Sequence, residues 1–192
     1  MAGTGDYLDM GGAHQDLSGA SQDERYAGAA AAFRDALERL ARAYEADPDQ
    51  RLDLLQEIHV ALWRSFGQFD GRCSERTWVY RVAHNVAMSH VLRRKRSRAQ
   101  RMVTLDELAD REPAPDNPEA EAGERHALAR LTALIQALEP ADRQIVLLYL
   151  EGLDAAAIGE VCGITPASVA TKVHRLKALL ARRFNQGGRH AG

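Results

Sequence analysis

The side chains best equipped for chemistry fall in three sets. Thr165, Ser168, Thr171, Lys172 and Arg175 place hydroxyls and cations at helical spacing near the C-terminal end. Such groups donate to base edges and neutralise phosphates. Another set is Arg76, Arg81, His84, Asn85 and Met88, followed by the basic run Arg93, Arg94, Lys95 and Arg96. An amide can pair with a base edge as donor and acceptor, and a cation cluster without acids in its own run calls for an anion. The third set, Asp53, Gln56 and Glu57, lies at i, i+3, i+4 and so shares one helix face. That face reads either as a docking surface or as ordinary solvated polarity. None of the three sets pairs a nucleophile with a base. The seven histidines (14, 59, 84, 90, 126, 174 and 190) form no metal-ligand pattern, and the sequence calls for no cofactor.

The elements that must hold these groups are punctuated in the sequence. Pro140 suits the first turn of a helix carrying Ile145, Leu148 and Tyr149, which Gly152 closes. Asp154 caps a short helix with Ile158 and Val161. Cys162-Gly163-Ile164 makes a tight turn in which Gly163 is free to take positive φ. Thr165 and Pro166 then open a further helix, on which Val169, Val173, Leu176 and Leu180 line one face. From residue 170 to 190 there are six Lys/Arg and no acid. A capped helix, apolar on one side and basic on the other, is built for a DNA major groove. The plainer reading is a three-helix bundle with a solvated basic face, but turn, caps and charge asymmetry agree on the first.

Further upstream, Ser21-Gln-Asp-Glu24 is a capping box, and Phe33, Leu37, Leu40 and Tyr44 predict one helix running to about Glu45. The next helix carries Leu52, Leu55, Ile58, Leu62 and Trp63 inward. After a turn-rich loop at 69–75, another starts near Thr77 with Trp78, Val82 and Val86 inward and ends in Arg93–Arg96. Prolines 113, 115 and 118 interrupt the following stretch. The expected fold is all-α: two small helical domains, a bundle at 21–96 and a helix-turn-helix at 127–185, joined by a flexible acidic linker at 97–126. Residues 1–20 and 186–192 are expected to be an N-terminal extension without structure and a C-terminal tail.

Composition supports this. Apolar residues make up 45%, aromatics are scarce, and no apolar run nears the roughly 20 residues that cross a bilayer. The acidic, Gly-rich start is no signal peptide, so a cytoplasmic protein without membrane insertion is expected. Two cysteines, Cys73 and Cys162, give no disulfide framework. The net charge of −2 hides segregation: residues 93–101 hold six bases and no acid, whereas 106–124 hold eight acids against one Arg. Local charge sets phosphate affinity, so two nucleic-acid faces separated by an acidic connector are implied.

Three segments in order resemble the extracytoplasmic-function sigma factors of bacterial RNA polymerase: DLLQEIHVALWRSFGQF (53–69), TWVYRVAHNVAMSHVLRRKR (77–96) and LEPADRQIVLLYLEGLDAAAIGEVCGITPASVATKVHRLK (138–177). The resemblance covers roughly residues 25–185. It implies that 21–96 is sigma region 2 and 127–185 region 4. Segment 53–69 is similar to the helix that docks on the polymerase clamp, here through Asp53, Gln56 and Glu57. Segment 77–96 is similar to the reader of the minus-ten element, with Arg76, Arg81, His84, Asn85, Met88 and Arg93–Arg96 toward DNA. Segment 138–177 is similar to the reader of the minus-thirty-five element, through Thr165, Ser168, Thr171, Lys172 and Arg175. The partners implied are core polymerase (beta and beta-prime subunits) and promoter DNA, with an anti-sigma factor as a further one. The chain departs from the family at Ala157-Ile158-Gly159, where Glu-Ile-Ala is usual. A glycine there is expected to weaken the helix by about 0.5–1 kcal/mol relative to alanine.

Two rival functions follow from the same residues. A one-component regulator would use 25–96 as a sensor or dimerisation domain, but a sensor needs no phosphate face. An enzyme would need a nucleophile, metal or phosphate-loop pattern that the sequence does not display.

Overall fold

The computed structural model describes residues 21–102 and 121–187, which form eight helices and, among these residues, no strand. The N-terminal unit comprises α1 (Gln22–Ala32), α2 (Arg34–Tyr44), α3 (Pro48–Phe66) and α4 (Glu75–Met102). The C-terminal unit comprises α5 (Glu121–Gln136), α6 (Pro140–Leu150), α7 (Ala155–Cys162) and α8 (Pro166–Gly187).

Local chemistry sets most of the ends. Ser21 and Glu24 form the reciprocal capping box of α1, with Ser21 N–H donating to Glu24 Oε2 at 2.8 Å and Glu24 N–H to Ser21 Oγ at 3.2 Å. Asp47 caps α3 by accepting from the amides of Asp49 and Gln50, and Pro48 follows in the first turn. The single helix expected from 21 to 45 is two: the chain kinks at Phe33, whose φ of −107° and ψ of 9° leave the helical basin. Leu37, Leu40 and Tyr44 are buried as the period requires.

Leu54, Ile58, Leu62 and Phe66 form the buried stripe of α3, so Leu52 and Trp63, expected inward, are exposed instead. Trp63 Nε1–H donates to Asp23 Oδ1 at 2.6 Å and helps hold α1 against α3. The inward face of α4 also differs from expectation. Val79, Tyr80, Ala83, His84 and Ala87 are buried, and Trp78, Val82 and Val86 are only half-buried. The reason is that α4 packs against four helices, α2, α3, α6 and α7. Small side chains at 83 and 87 permit that close approach. Trp78 sits at the flank, donating to Ser65 Oγ at 3.0 Å and resting on Phe69.

Both ends of the expected linker are helical, since α4 continues to Met102 and α5 begins at Glu121. Its acidic middle, with residues 1–20 and the end of the C-terminal tail, lies outside the described residues. No helix among the described residues is long and apolar enough to cross a membrane.

The C-terminal unit follows the sequence closely. Pro140 opens α6, Asp154 caps α7 through the Ala157 amide at 2.8 Å, and Thr165 Oγ1 accepts from the Ser168 amide at 3.2 Å. Gly163 takes φ 71° in the turn, and Ile145, Leu148, Ile158, Val169 and Leu176 form the core. The expectation for Gly159 is corrected. Its carbonyl accepts from both Gly163 N–H (2.8 Å) and Ile164 N–H (3.1 Å), and a Cβ at this position would lie 2.6 Å from the Ile164 carbonyl oxygen. The glycine lets the turn fold back on its own helix. Gly159→Ala should therefore destabilise the protein by about 1–3 kcal/mol through overpacking, and thermal unfolding followed by circular dichroism should show a lowered Tm.

Candidate nucleic-acid interface and docking groove

On α3, Asp53, Gln56 and Glu57 are all exposed, as their spacing requires. They line one wall of an open groove of about 770 Å³ whose other wall is α4. The α4 wall supplies Asn85, Ser89 and Arg93, and Arg93 pairs with Glu57 across the groove. Asn85 thus lines the groove, one helical turn after Arg81 on the same side of α4.

The guanidinium groups of Arg76 and Arg81 reach the C-terminal unit. Arg76 lies 5.8 Å over the Tyr80 ring and donates to the backbone carbonyl of Glu151. Arg81 donates to Glu160 Oε1 at 3.1 Å and to the Glu160 carbonyl at 3.2 Å. The preceding loop turns at Gly71, with φ 74°, and is pinned by Asp70 accepting from the Arg72 amide.

His84 is not on the surface. It is 1% exposed, hydrogen-bonded at 3.1 Å to Tyr44 Oη and in edge contact with that ring. Burial pushes its imidazole down to about 3, so it is a neutral core group at physiological pH. Met88 is half-buried. The basic run is also less bare than the sequence implies, because acids arrive from other elements. Glu57 meets Arg93, buried Glu45 meets Arg94 and His90, and Glu139 lies 3.9 Å from Lys95. Arg96 is exposed.

His84 gives the fold a pH signature. In the unfolded chain it takes a proton as pH falls through about 6.5; in the fold it stays neutral to about 3. The unfolded state binds the extra proton, so this stabilisation is whole above the unfolded value and declines as pH falls through the window between the two. His59 and His90, both lowered by burial, add slopes of the same sign. Urea unfolding at pH 7 and pH 5 should show a loss approaching ~1.4 kcal/mol per pH unit from His84. His84→Phe should be less stable at pH 7 but lose less on acidification. An equal loss in both proteins would contradict the assignment.

On α8, Ser168, Thr171 and Arg175 are exposed, and Lys172 is half-buried. Asp142 of α6 reaches both cations, at 2.7 Å from Lys172 Nζ and 3.5 Å from Arg175 Nη2. Both cations are thereby tied to α6. Thr165 is exposed, its hydroxyl committed to the cap.

Sequence reasoning missed Arg39, Tyr80 and Glu151. Arg39 pairs with Glu151 through two contacts of 2.8 Å, and Tyr80 Oη–H donates to Glu151 Oε2 at 3.0 Å. The Arg39 hydrogen bond holds the Glu151 carboxyl below the usual range, while burial and the neighbouring carboxylate push the Tyr80 phenol up to about 12. These partners lie 71 to 112 residues apart, beyond the reach of any local pattern.

Two family models match this arrangement of helices: sigma-70 region 2 over residues 30–97 and sigma-70 region 4 over residues 128–180. The ECF RNA polymerase sigma factor SigC of Mycobacterium tuberculosis is 31% identical over 147 residues, covering 72% of this chain and 73% of that protein. The chain belongs to the extracytoplasmic-function sigma factors. SigE of Mycolicibacterium smegmatis is 33% identical over 148 residues; the match takes in 73% of the chain but only 54% of that relative. SigX of Bacillus subtilis is 29% identical over 69% of the chain and 70% of its own length. In three dimensions the fold is shared with the sigma factor RpoE of Bartonella quintana, solved with the anti-sigma factor NepR, at a TM-score of 0.65, 17% identity and coverage of 86% and 98%. A similar likeness holds for CnrH in complex with the cytosolic domain of CnrY: TM-score 0.61, 19% identity, coverage of 88% and 92%. The all-α, two-unit fold is thus that of a sigma factor, and the sensor-linked regulator is not favoured.

Proposed function

We propose that this sigma factor acts in the cytoplasm by docking on core RNA polymerase through Asp53, Gln56 and Glu57, melting the minus-ten element at α4 and reading the minus-thirty-five element with α8. The observation that carries the reading is the presence on a single chain of two different cation-bearing helix faces and an exposed face of α3 formed by Asp53, Gln56 and Glu57. The exposed Asp53 and Glu57 of α3 suit a basic helical partner such as the beta-prime clamp, and opposite charges speed and orient such an encounter. The outer face of α8, with Ser168, Thr171, Lys172 and Arg175, has the dimensions and donors for a major groove. Arg76, Arg81, Asn85, Met88 and the cations Arg93–Arg96 offer an amide and phosphate contacts to a separated strand. Region 2 is assigned to 21–96, with the helix running on to Met102, and region 4 to 127–185. The chain acts by binding and by redistributing the cost of unpairing; it needs no cofactor. An anti-sigma factor that covers either face would silence the chain.

The test is reconstitution. Mixed with core polymerase, the protein should co-elute as a holoenzyme, and that holoenzyme should protect duplex DNA upstream of a start site while core alone does not. Co-elution without protection would reject the DNA-reading half, and no co-elution would reject the whole.

A further inference from the structure

Asp142 sits in the first turn of α6, where the positive end of the helix dipole favours any acid. Its carboxylate also crosses to α8. Oδ1 lies 2.7 Å from Lys172 Nζ and Oδ2 lies 3.5 Å from Arg175 Nη2. From residue 170 to 190 the sequence has no acid, so the charge that meets these two cations comes from another helix. For raw affinity this is a poor arrangement. An anion beside cations that are to meet phosphates repels the same phosphates and already occupies some of the donors. The two cations are held unequally. Lys172 is 37% exposed, whereas Arg175 is 67% exposed and its contact is at the outer limit of a hydrogen bond. A free lysine is a point charge on a flexible stem and follows any phosphate within reach. Held by Asp142, it is offered to DNA from one place. Its ammonium has three donors, so it can keep Asp142 and still serve a phosphate on its accessible side. Arg175, loosely held, keeps further N–H groups for a base edge.

We propose that Asp142 is a positioning residue that sets the sequence discrimination of α8. It withholds Lys172 from phosphates met in an arbitrary register and leaves it for a phosphate placed where the tethered ammonium already stands. Specificity is a difference of affinities, raised by weakening the wrong complex as well as by strengthening the right one. Asp142 does the first. The proposal rests on the reading of α8 as the helix that meets duplex DNA.

The test uses the full chain assembled with core polymerase and two fluorescein-labelled duplexes, with binding read by anisotropy over a range of salt. One duplex carries an upstream element mapped from the start sites that the holoenzyme makes. The other is the same duplex with its minus-thirty-five bases scrambled. Asp142→Asn removes the charge and keeps the size of the side chain. It should bind the scrambled duplex roughly tenfold more tightly than wild type, with a slope of log affinity against log salt steeper by about 1, as for one further phosphate contact. The mapped duplex should gain less, so that the ratio between the two falls by about threefold or more. Asp142→Ser, which removes both the charge and the amide, should do the same. Asp142→Glu, which keeps the charge, should stay close to wild type. Lys172→Ala placed on Asp142→Asn should remove the steeper slope. An equal loss of affinity for both duplexes in Asp142→Asn and Asp142→Ser would make the pair a structural brace and overturns the proposal, as does an unchanged ratio. Lys172→Ala and Arg175→Ala in the wild-type background separate this failure from that of the reading beneath it. If they weaken binding while the charge-removing variants leave the ratio unchanged, the proposal alone falls. If neither alters binding of either duplex, α8 is not the reader, and the proposal falls with that reading.

Discussion

Asp53→Lys combined with Glu57→Lys should abolish co-elution with core polymerase. Both side chains are exposed on the groove wall of α3, and Glu57 is the partner of Arg93. Reversal turns this acidic face of α3 basic and sets a new ammonium group against Arg93. Against a basic partner each reversal replaces attraction with like-charge contact, and such juxtapositions cost several kcal/mol. A loss of affinity of at least about 100-fold follows, roughly 2.7 kcal/mol or more. The fold should be little affected, since an exposed ion pair contributes only about 0–1 kcal/mol and neither residue touches the core. Circular dichroism should therefore stay helical while the holoenzyme peak disappears. A variant that co-elutes like wild type would show that this face is ordinary surface polarity.

Asn85→Ala should leave closed-complex formation nearly intact and slow open-complex formation. Asn85 is exposed on α4, and its amide can donate to and accept from an unpaired base edge. Unstacking a base costs a few kcal/mol. Losing the group that recovers part of it should slow opening by one to two orders of magnitude, about 1.4–2.7 kcal/mol on the barrier. A template already mismatched at the minus-ten element removes that cost in advance and should restore the variant. Permanganate footprinting of unpaired thymines on both templates reads the difference. Equal opening on the matched template would contradict the role, as would a defect confined to duplex binding. Because Asn85 shares its groove with Asp53 and Glu57, co-elution of Asn85→Ala with core polymerase must be measured alongside and should be unchanged.

The parts of this structure that the sequence made legible are those set by neighbours within a turn or two. Ser21 with Glu24, Asp154 with Ala157, Thr165 with Ser168 and the positive φ of Gly163 are short-range bonds and sterics, and each is where the residue types place it. The parts that were not legible depend on what packs from afar. His84 is polar and lies in a basic helix, yet Tyr44, forty residues away, gives it a buried partner. The inward face of α4 could not be read from one period because four helices, α2, α3, α6 and α7, pack on it. Gly159 is a weak point of α7 when judged by helix propensity alone; the returning turn, with the Ile164 carbonyl over it, reverses the sign. The basic run 93–96 reads as unpaired in sequence because Glu45, Glu57 and Glu139 come from three other places in the chain.

Run-off transcription tests the account most directly. Core polymerase is supplied with this protein, a library of promoter-sized fragments and nucleotides, and the 5′ ends of the products are mapped. The account requires discrete start sites that core alone does not make, with shared upstream elements at the minus-ten and minus-thirty-five positions, and their loss with Asp53→Lys/Glu57→Lys. Start sites no different from those of core polymerase alone would contradict it.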